Sequence, residues 1–235
     1  MGTNHMGRQS IRFPQPPVVR GFASVAGKKE REGPLGDQFT ATVQDTTFGE
    51  KSWERAERRM QQMTLELALE KAGLTDADLD AAFAGDLLNQ CIGSSFSLRN
   101  RGVPTLGLYG ACSTMAESLL LAAMSVSGGF ARTALAMTSS HFASSERQYR
   151  FPLGYGGQRT PTSQWTVTGA GAVLLGSGEH GIRITAATIG SIVDRGICDA
   201  NNMGAAMAPA AFATLRAHFD DLHCCLLYTS DAADE

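Results

Sequence analysis

The stretch Thr105-Leu106-Gly107-Leu108-Tyr109-Gly110-Ala111-Cys112-Ser113-Thr114-Met115-Ala116-Glu117-Ser118 decides how this chain is read. Its first seven residues form a short apolar run of strand character. From Thr114 to Ser127 an apolar run of helical character follows, closed by Gly128-Gly129. Cys112 stands at the junction. A strand that hands over to a helix is the building unit of an α/β sheet. A thiol at that point sits at the positive end of the helix, where thiolate is favoured and small acidic or carbonyl ligands are welcome. A free cysteine packed as a small hydrophobe could occupy the same place, so spacing alone leaves both roles open.

Strand and helix signals alternate outward from this junction. Val18 to Ala26 reads as a first strand, followed by a polar, Gly/Pro-marked loop from Gly27 to Glu50 that is long enough for a functional excursion. Ser52 is a good N-cap for a helix whose stripe of Trp53, Ala56, Met60, Met63 and Leu67 faces a core, and Gly73 is the expected stop. Thr75 and Asp78 have the spacing of a capping box ahead of a strand, Ala81 to Gly85. That strand ends in Asp86-Leu87-Leu88-Asn89-Gln90. Ligands meet α/β sheets at strand ends, so Asp86, Asn89 and Gln90 are candidate ligand contacts; they could equally cap the short helix around Ile92 to Asn100.

Beyond the helix after Cys112, a buried-type strand Thr133 to Thr138 leads into Ser139-Ser140-His141. Ser144 to Thr162 lacks an apolar period and carries Arg147, Tyr149, Arg150, Tyr155, Gln158 and Arg159, which reads as a loop with a cationic, aromatic surface. Arginine forks and aromatic faces suit a planar carboxylate, although ordinary solvated arginines would look the same. Trp165 to Leu175 and Ile182 to Ile192 read as two strands joined by Gly176-Ser177-Gly178-Glu179-His180-Gly181, a hairpin signal. The small residues Thr168-Gly169-Ala170-Gly171-Ala172 lie inside a strand and read as close backbone packing, since a dinucleotide fingerprint would open a helix. A last helix is expected over about Pro209 to Phe219.

Composition narrows the functions. With 235 residues, 43% hydrophobic and 18% charged, the chain can bury a sizeable core. A net charge of −3 gives no electrostatic reason to expect nucleic acid, and no Lys/Arg block suggests a polybasic membrane patch. Five irregularly spaced cysteines show neither a disulfide framework nor a Cys-x-x-Cys zinc pattern, which implies a reducing, cytoplasm-like compartment. No membrane span of its own and no metal cage are expected. Residues 1–12 read as a frayed tail. The end, Cys225 to Glu235, looks like the translation of a sequencing adapter, so 223–235 is expected to be non-native read-through and the natural chain to continue beyond about Leu222.

Several motifs carry a resemblance. They are Gly33-Pro34-Leu35-Gly36, Gly85-Asp86-Leu87-Leu88-Asn89-Gln90, Gly110-Ala111-Cys112-Ser113-Thr114 and Thr138-Ser139-Ser140-His141, then Glu146-Arg147-Gln148-Tyr149-Arg150, Tyr155-Gly156-Gly157-Gln158 and Met203-Gly204-Ala205-Ala206-Met207-Ala208-Pro209-Ala210. From about Phe13 to Leu222 the chain resembles the stage V sporulation protein AD family of thiolase-like proteins. The resemblance implies an α/β fold, the N-terminal half of a thiolase-like fold over residues 13–222, with a mixed sheet, helices packed on it and the C-terminal half missing.

It also implies a role in the SpoVA assembly that moves dipicolinic acid into the forespore, on the cytoplasmic side of the spore inner membrane. The ligand would be dipicolinate or its calcium chelate, with no resident cofactor. The partners would be other SpoVA membrane proteins and a second copy of the chain, with the Thr105 to Gly110 strand as the place to look for a homodimer. Cys112 matches the nucleophile-like cysteine, and His141, Arg147, Arg150, Tyr155 and Gln158 become expected pocket residues. Gly154 departs from the pattern, since an acidic residue is expected before Tyr-Gly-Gly-Gln. The alternative is an acyltransferase in which Cys112 accepts an acyl group from a coenzyme A or carrier thioester.

Overall fold

The computed structural model describes residues 4–149, 166–198 and 202–224, with the side chains of 146–149 outside that set. Two compact units result, Pro17–Arg183 and a smaller one drawn from Met1–Pro16 and Ile184–Glu235. In chain order the strands are β1 His5–Met6, β2 Ser10–Arg12, β3 Val18–Ala26, β4 Ala41–Thr42, β5 Ala81–Gly85, β6 Thr105–Leu108, β7 Thr133–Ser140, β8 Gly169–Gly176 and β9 Ala186–Thr188. The helices are α1 Lys28–Arg31, α2 Trp53–Ala72, α3 Ile92–Leu98, α4 Thr114–Ser127, α5 Phe142–Tyr149 and α6 Met203–Leu222.

The larger unit is built on a six-stranded mixed sheet in the order β4-β3-β8-β7-β5-β6. β5 runs parallel to both β6 and β7, and β3 parallel to β4, while β8 runs antiparallel to both of its neighbours, β3 and β7. Ala134, Leu135, Ala136 and Met137 of β7 are all fully buried. Successive strand residues point to opposite faces, so both faces of β7 are covered. Leu135 and Met137 join Leu65 and Leu69 of α2 in one core cluster. α4, packed against β5 and β7, covers the other face.

Local chemistry sets the long elements. The Ser52 side chain accepts from the Arg55 amide at 3.3 Å, and Gly73 ends α2 in the left-handed region at φ 64°. Both are the cap types that the sequence pattern demands. The Thr75/Asp78 capping box is present, around a single 3-10 turn. The buried face of α2 is broader than the expected stripe, because it takes in Leu65, Ala68 and Leu69 together with the polar Glu57, Gln61 and Thr64.

Three expectations change. The hairpin across Gly176 to Gly181 does not form: both edges of β8 are already occupied, and β9 pairs instead with β2 in a three-stranded sheet of the smaller unit. Residues 144–149, read as the start of a loop, are helical within α5. Residues 4–12, read as a frayed tail, contribute β1 and β2, where Asp221 of α6 accepts the amides of Arg8 and Gln9 and the hydroxyl of Ser10. Residues 225–235 lie outside the described residues.

One glycine sets how closely the site elements meet. A Cβ on Gly85 would lie 2.2 Å from the Leu108 carbonyl oxygen and 2.5 Å from the Thr114 Cγ2. Gly85→Ala should therefore force β6 or the start of α4 to shift, at a cost on the order of 1–3 kcal/mol. Denaturant unfolding of the variant checks this, and an unchanged midpoint would contradict the close approach.

Candidate functional site

Cys112 lies in the 3-10 turn Ala111–Ser113 that leads directly into α4. Ala111 just before it has φ 48°, a left-handed conformation that costs a residue with a Cβ about 1 kcal/mol. Thr114 holds the turn in place: its Oγ1 donates to the Ala111 carbonyl at 2.8 Å and accepts the Gly110 amide at 3.1 Å. The Ser113 amide also returns to the Gly110 carbonyl at 3.0 Å. The result is an exposed, free thiol at the first turn of a helix.

That thiol opens on a cavity of about 450 Å³ where the parallel strands end. Val25 of β3, Asp86 after β5, Cys112 after β6, Ser139 of β7 and the start of β8 all line it, with Phe39, Met115 and Ala170 adding apolar surface. Gly169 and Gly171 belong to the lining, and a Cβ on Gly171 would meet nothing within 4 Å. The small residues at the head of β8, read from sequence as close packing, leave one wall of the cavity bare.

The expected site residues divide by position. Cys112 and Asp86 come together in the lining. Asp86 is nevertheless engaged on both oxygens, accepting the Leu88 amide at 2.9 Å and the Ser94 amide and hydroxyl at 2.7 and 2.6 Å. It shapes the loop into α3, as the capping alternative anticipated. Asn89 is exposed on the next turn and is not part of the lining.

His141 is fully buried and also not part of the lining. It stacks on Phe142 at 4.9 Å and packs near Trp53 at 5.5 Å. Its Nε2 hydrogen goes to the Thr46 carbonyl at 2.9 Å and its Nδ1 accepts the Ala143 amide at 3.2 Å, an assignment made from those partners. Burial pushes its imidazole below the ordinary range. The Arg147 side chain, Arg150, Tyr155 and Gln158 lie outside the described residues. Among the described residues, no group of three or more His, Cys, Asp or Glu side chains is placed to hold a metal.

Sequence reasoning missed a buried polar network behind the cavity. Ser139 donates to Glu57 Oε1 and Ser144 to Glu57 Oε2, at 2.7 and 2.5 Å. Gln61 donates to both Ser139 and Ser94, at 2.7 and 3.1 Å, and accepts from Ser97 at 2.6 Å. The signal was present: Glu57, Gln61 and Thr64 recur at helical spacing beside Met60 and Ala68 on α2. Polar residues on the core face of a helix call for partners. Burial, helped by the nearby charges of Asp86 and Glu54, raises the Glu57 carboxyl to about 7 against the lowering effect of its two serines.

A family model described as "Stage V sporulation protein AD (SpoVAD)" matches residues 7–228. The stage V sporulation protein AD of Bacillus subtilis (strain 168) is 46% identical over 217 residues, which take in 92% of this chain and 64% of the relative. This chain therefore spans 64% of that relative's length. Among solved structures, the E117D variant of Xanthomonas campestris OleA bound with cerulenin superposes with TM-score 0.63 at 15% identity, over 92% of this chain and 73% of that one. A second OleA crystal structure gives TM-score 0.58 at 16% identity, over 94% and 75%. Likeness at this level establishes the α/β, thiolase-like fold.

Glu57 generates a pH prediction. Its folded value of about 7 lies above its ordinary 4.5, so between those values the folded chain holds a proton that the unfolded chain has released. Stability from this group then falls as pH rises through the window, by on the order of 3 kcal/mol in total. His141 acts in the opposite sense, because its lowered value makes stability fall as pH drops below 6.5. The difference between wild type and Glu57→Gln isolates the carboxyl. Unfolding free energies measured from about pH 4.5 to 7 should converge at the acid end and diverge in favour of Gln at neutral pH.

Proposed function

We propose, since this chain belongs to the stage V sporulation protein AD family, that its cavity binds dipicolinate, free or as the calcium chelate, during sporulation. The observation that carries the reading is the combination at one place of an apolar, partly glycine-walled cavity and the first turn of α4. Dipicolinate is a flat ring bearing two carboxylates. Val25, Phe39, Met115 and Ala170 offer apolar surface for the ring, and the bare wall at Gly169 and Gly171 leaves room for its thickness. The cavity volume of about 450 Å³ falls within the roughly 300–1,000 Å³ of small-molecule sites.

The start of α4 is the positive end of a fourteen-residue helix and favours an anion, so one carboxylate is assigned to the Cys112 turn. Arg147 and Arg150, with Tyr155 and Gln158, are assigned to the second, as bidentate and aromatic contacts. Asp86 already accepts three hydrogens, so calcium would arrive on the ligand instead of being held by Asp86.

Acyl transfer is the alternative, and the exposed Cys112 in the cavity favours it. Both His141 ring nitrogens are engaged away from the lining, so acyl transfer would draw the base for Cys112 from another residue. In the binding reading the protein works as a homodimer against the other membrane proteins of the SpoVA assembly, on the cytoplasmic side of the forespore. No helix among the described residues is long and apolar enough to cross a membrane.

Calorimetric titration with dipicolinate tests the reading. Saturable binding is expected in wild type. Gly171→Val, which fills open space, should weaken it at least tenfold, about 1.4 kcal/mol, without lowering the melting temperature. Cys112→Ala should reduce binding more than stability. Acylation of Cys112 by a coenzyme A thioester, seen as a mass gain on that peptide, together with no dipicolinate heat, would transfer the assignment to the enzyme.

A further inference from the structure

Glu57 plays no part in the ligand contacts assigned above, yet hydrogen bonds join it to the cavity wall. Ser139 lines the cavity and gives its hydrogen to Glu57 Oε1. Ser94 gives its hydrogen to Asp86 Oδ2, and Asp86 is itself in the wall. The Gln61 Nε2 group donates to both serines, at 2.7 Å to Ser139 and 3.1 Å to Ser94. One buried amide therefore turns two hydroxyls toward two carboxylates, one in the cavity wall and one directly behind it.

The surroundings of Glu57 hold little positive charge to answer it. Of the elements packed on α2, α3, β7 and β8 carry no charged residue, and β3 carries only Arg20, whose guanidinium is bonded to the Ser177 carbonyl at the end of the strand away from Val25. On α2 itself Glu54 adds like charge, and Arg58 pairs with Glu50. α5 brings Glu146 and Arg147, whose side chains lie outside the described set, beside the neutral His141 that precedes it.

We infer that an anion entering this cavity is bound together with a proton, and that the Glu57 carboxyl holds that proton. The inference rests on the dipicolinate reading for the identity of the anion. A negative charge beside the Ser139 and Asp86 wall disfavours a second negative charge on Glu57 and favours its protonated form. The proton comes from solvent and forms an O–H bond at Glu57 Oε2. Ser144 Oγ, 2.5 Å from that oxygen, rotates from donor to acceptor, so the acid is not left unpaired. The proton returns to solvent when the anion leaves. Burial already sets the carboxyl at about 7, so near neutral pH a modest added field changes its occupancy.

The test is calorimetric titration of the protein with dipicolinate at about pH 7 in phosphate, HEPES and Tris, whose ionisation enthalpies differ. The slope of heat against ionisation enthalpy counts protons. Wild type should take up as much as about half a proton per ligand, and its affinity should fall as pH rises from about 6 to about 8, a range in which dipicolinate stays fully ionised. Glu57→Gln should still bind, with no proton uptake and a flat profile. Binding whose heat is the same in every buffer overturns the proton link and leaves dipicolinate as the ligand; no binding in any buffer overturns both.

Since a substitution in a buried network can disturb folding, a second measurement uses wild type alone. The carboxyl carbon-13 resonance of Glu57 should move toward the carboxylic-acid position when dipicolinate is added at about pH 7. A resonance that stays in place overturns the inference.

Discussion

The Asp86 carboxylate takes three hydrogens, from the Leu88 amide and from the Ser94 amide and hydroxyl, and much of the site depends on that arrangement. The loop it gathers includes Gln90 and Cys91, both in the left-handed region with φ near 60° and 52°. Two such residues in succession are held open only by surrounding contacts. Asp86 supplies them from one side, and the Cys91 thiol bonded to the Leu108 carbonyl at 3.1 Å supplies them from the other. Leu108 is also the residue that Gly85 must approach closely, so the end of β5, the start of α3 and the approach to Cys112 are tied into one rigid corner.

The corner connects to α2 through Gln61, and α2 is divided in character as a result. Toward its C-terminus, Leu65, Ala68 and Leu69 pack into the apolar cluster with Leu135 and Met137. Toward its N-terminus, Glu57, Gln61 and Thr64 are fully buried among hydroxyls. Burying an amide and a carboxyl costs several kcal/mol unless every polar atom finds a partner, and in this network the partners are present. Both hydrogens of the Gln61 amide are used, its oxygen is used, and both oxygens of Glu57 are used. An apolar α2 would bury the same surface at less cost. What the polar version adds is a fixed direction for Ser139 at the cavity wall.

The major elements were legible in the sequence because each carries its own punctuation. Ser52 and Gly73 bracket α2, Gly128-Gly129 close α4, and β5 and β7 are short apolar runs between polar ends. Pairing was less legible, since period-two apolar runs do not say which neighbour they choose. Gly176 to Gly181 looks like a hairpin turn, but β8 is satisfied on both edges by strands distant in sequence. In the site, Cys112 and Asp86 could be found from junctions and strand ends. Glu57 carried a fainter signal, its helical spacing with Gln61 and Thr64 beside Met60, because a glutamate on a helix is normally solvated and the partners that let it turn inward come from distant segments. His141 misled for the converse reason: its place after β7 suggested a ligand contact, while Phe48, Trp53 and Phe142 enclose it.

These positions bear on the choice between binding and thiol chemistry at Cys112. A cysteine nucleophile needs a base within hydrogen-bond reach, a donor set at the developing oxyanion and a closed site. At the Ala111–Ser113 turn the Ser113 and Thr114 amides are bonded to the Gly110 and Ala111 carbonyls, so what the start of α4 offers toward the second is the positive end of its helix dipole. His141 does not supply the first, since its two nitrogens are bonded at Thr46 and Ala143. The same helix turn that would hold an oxyanion for an instant in a transferase can hold a carboxylate at equilibrium, and a carboxyl behind the wall that is half-titrated near neutral pH then lowers the electrostatic cost of keeping it there.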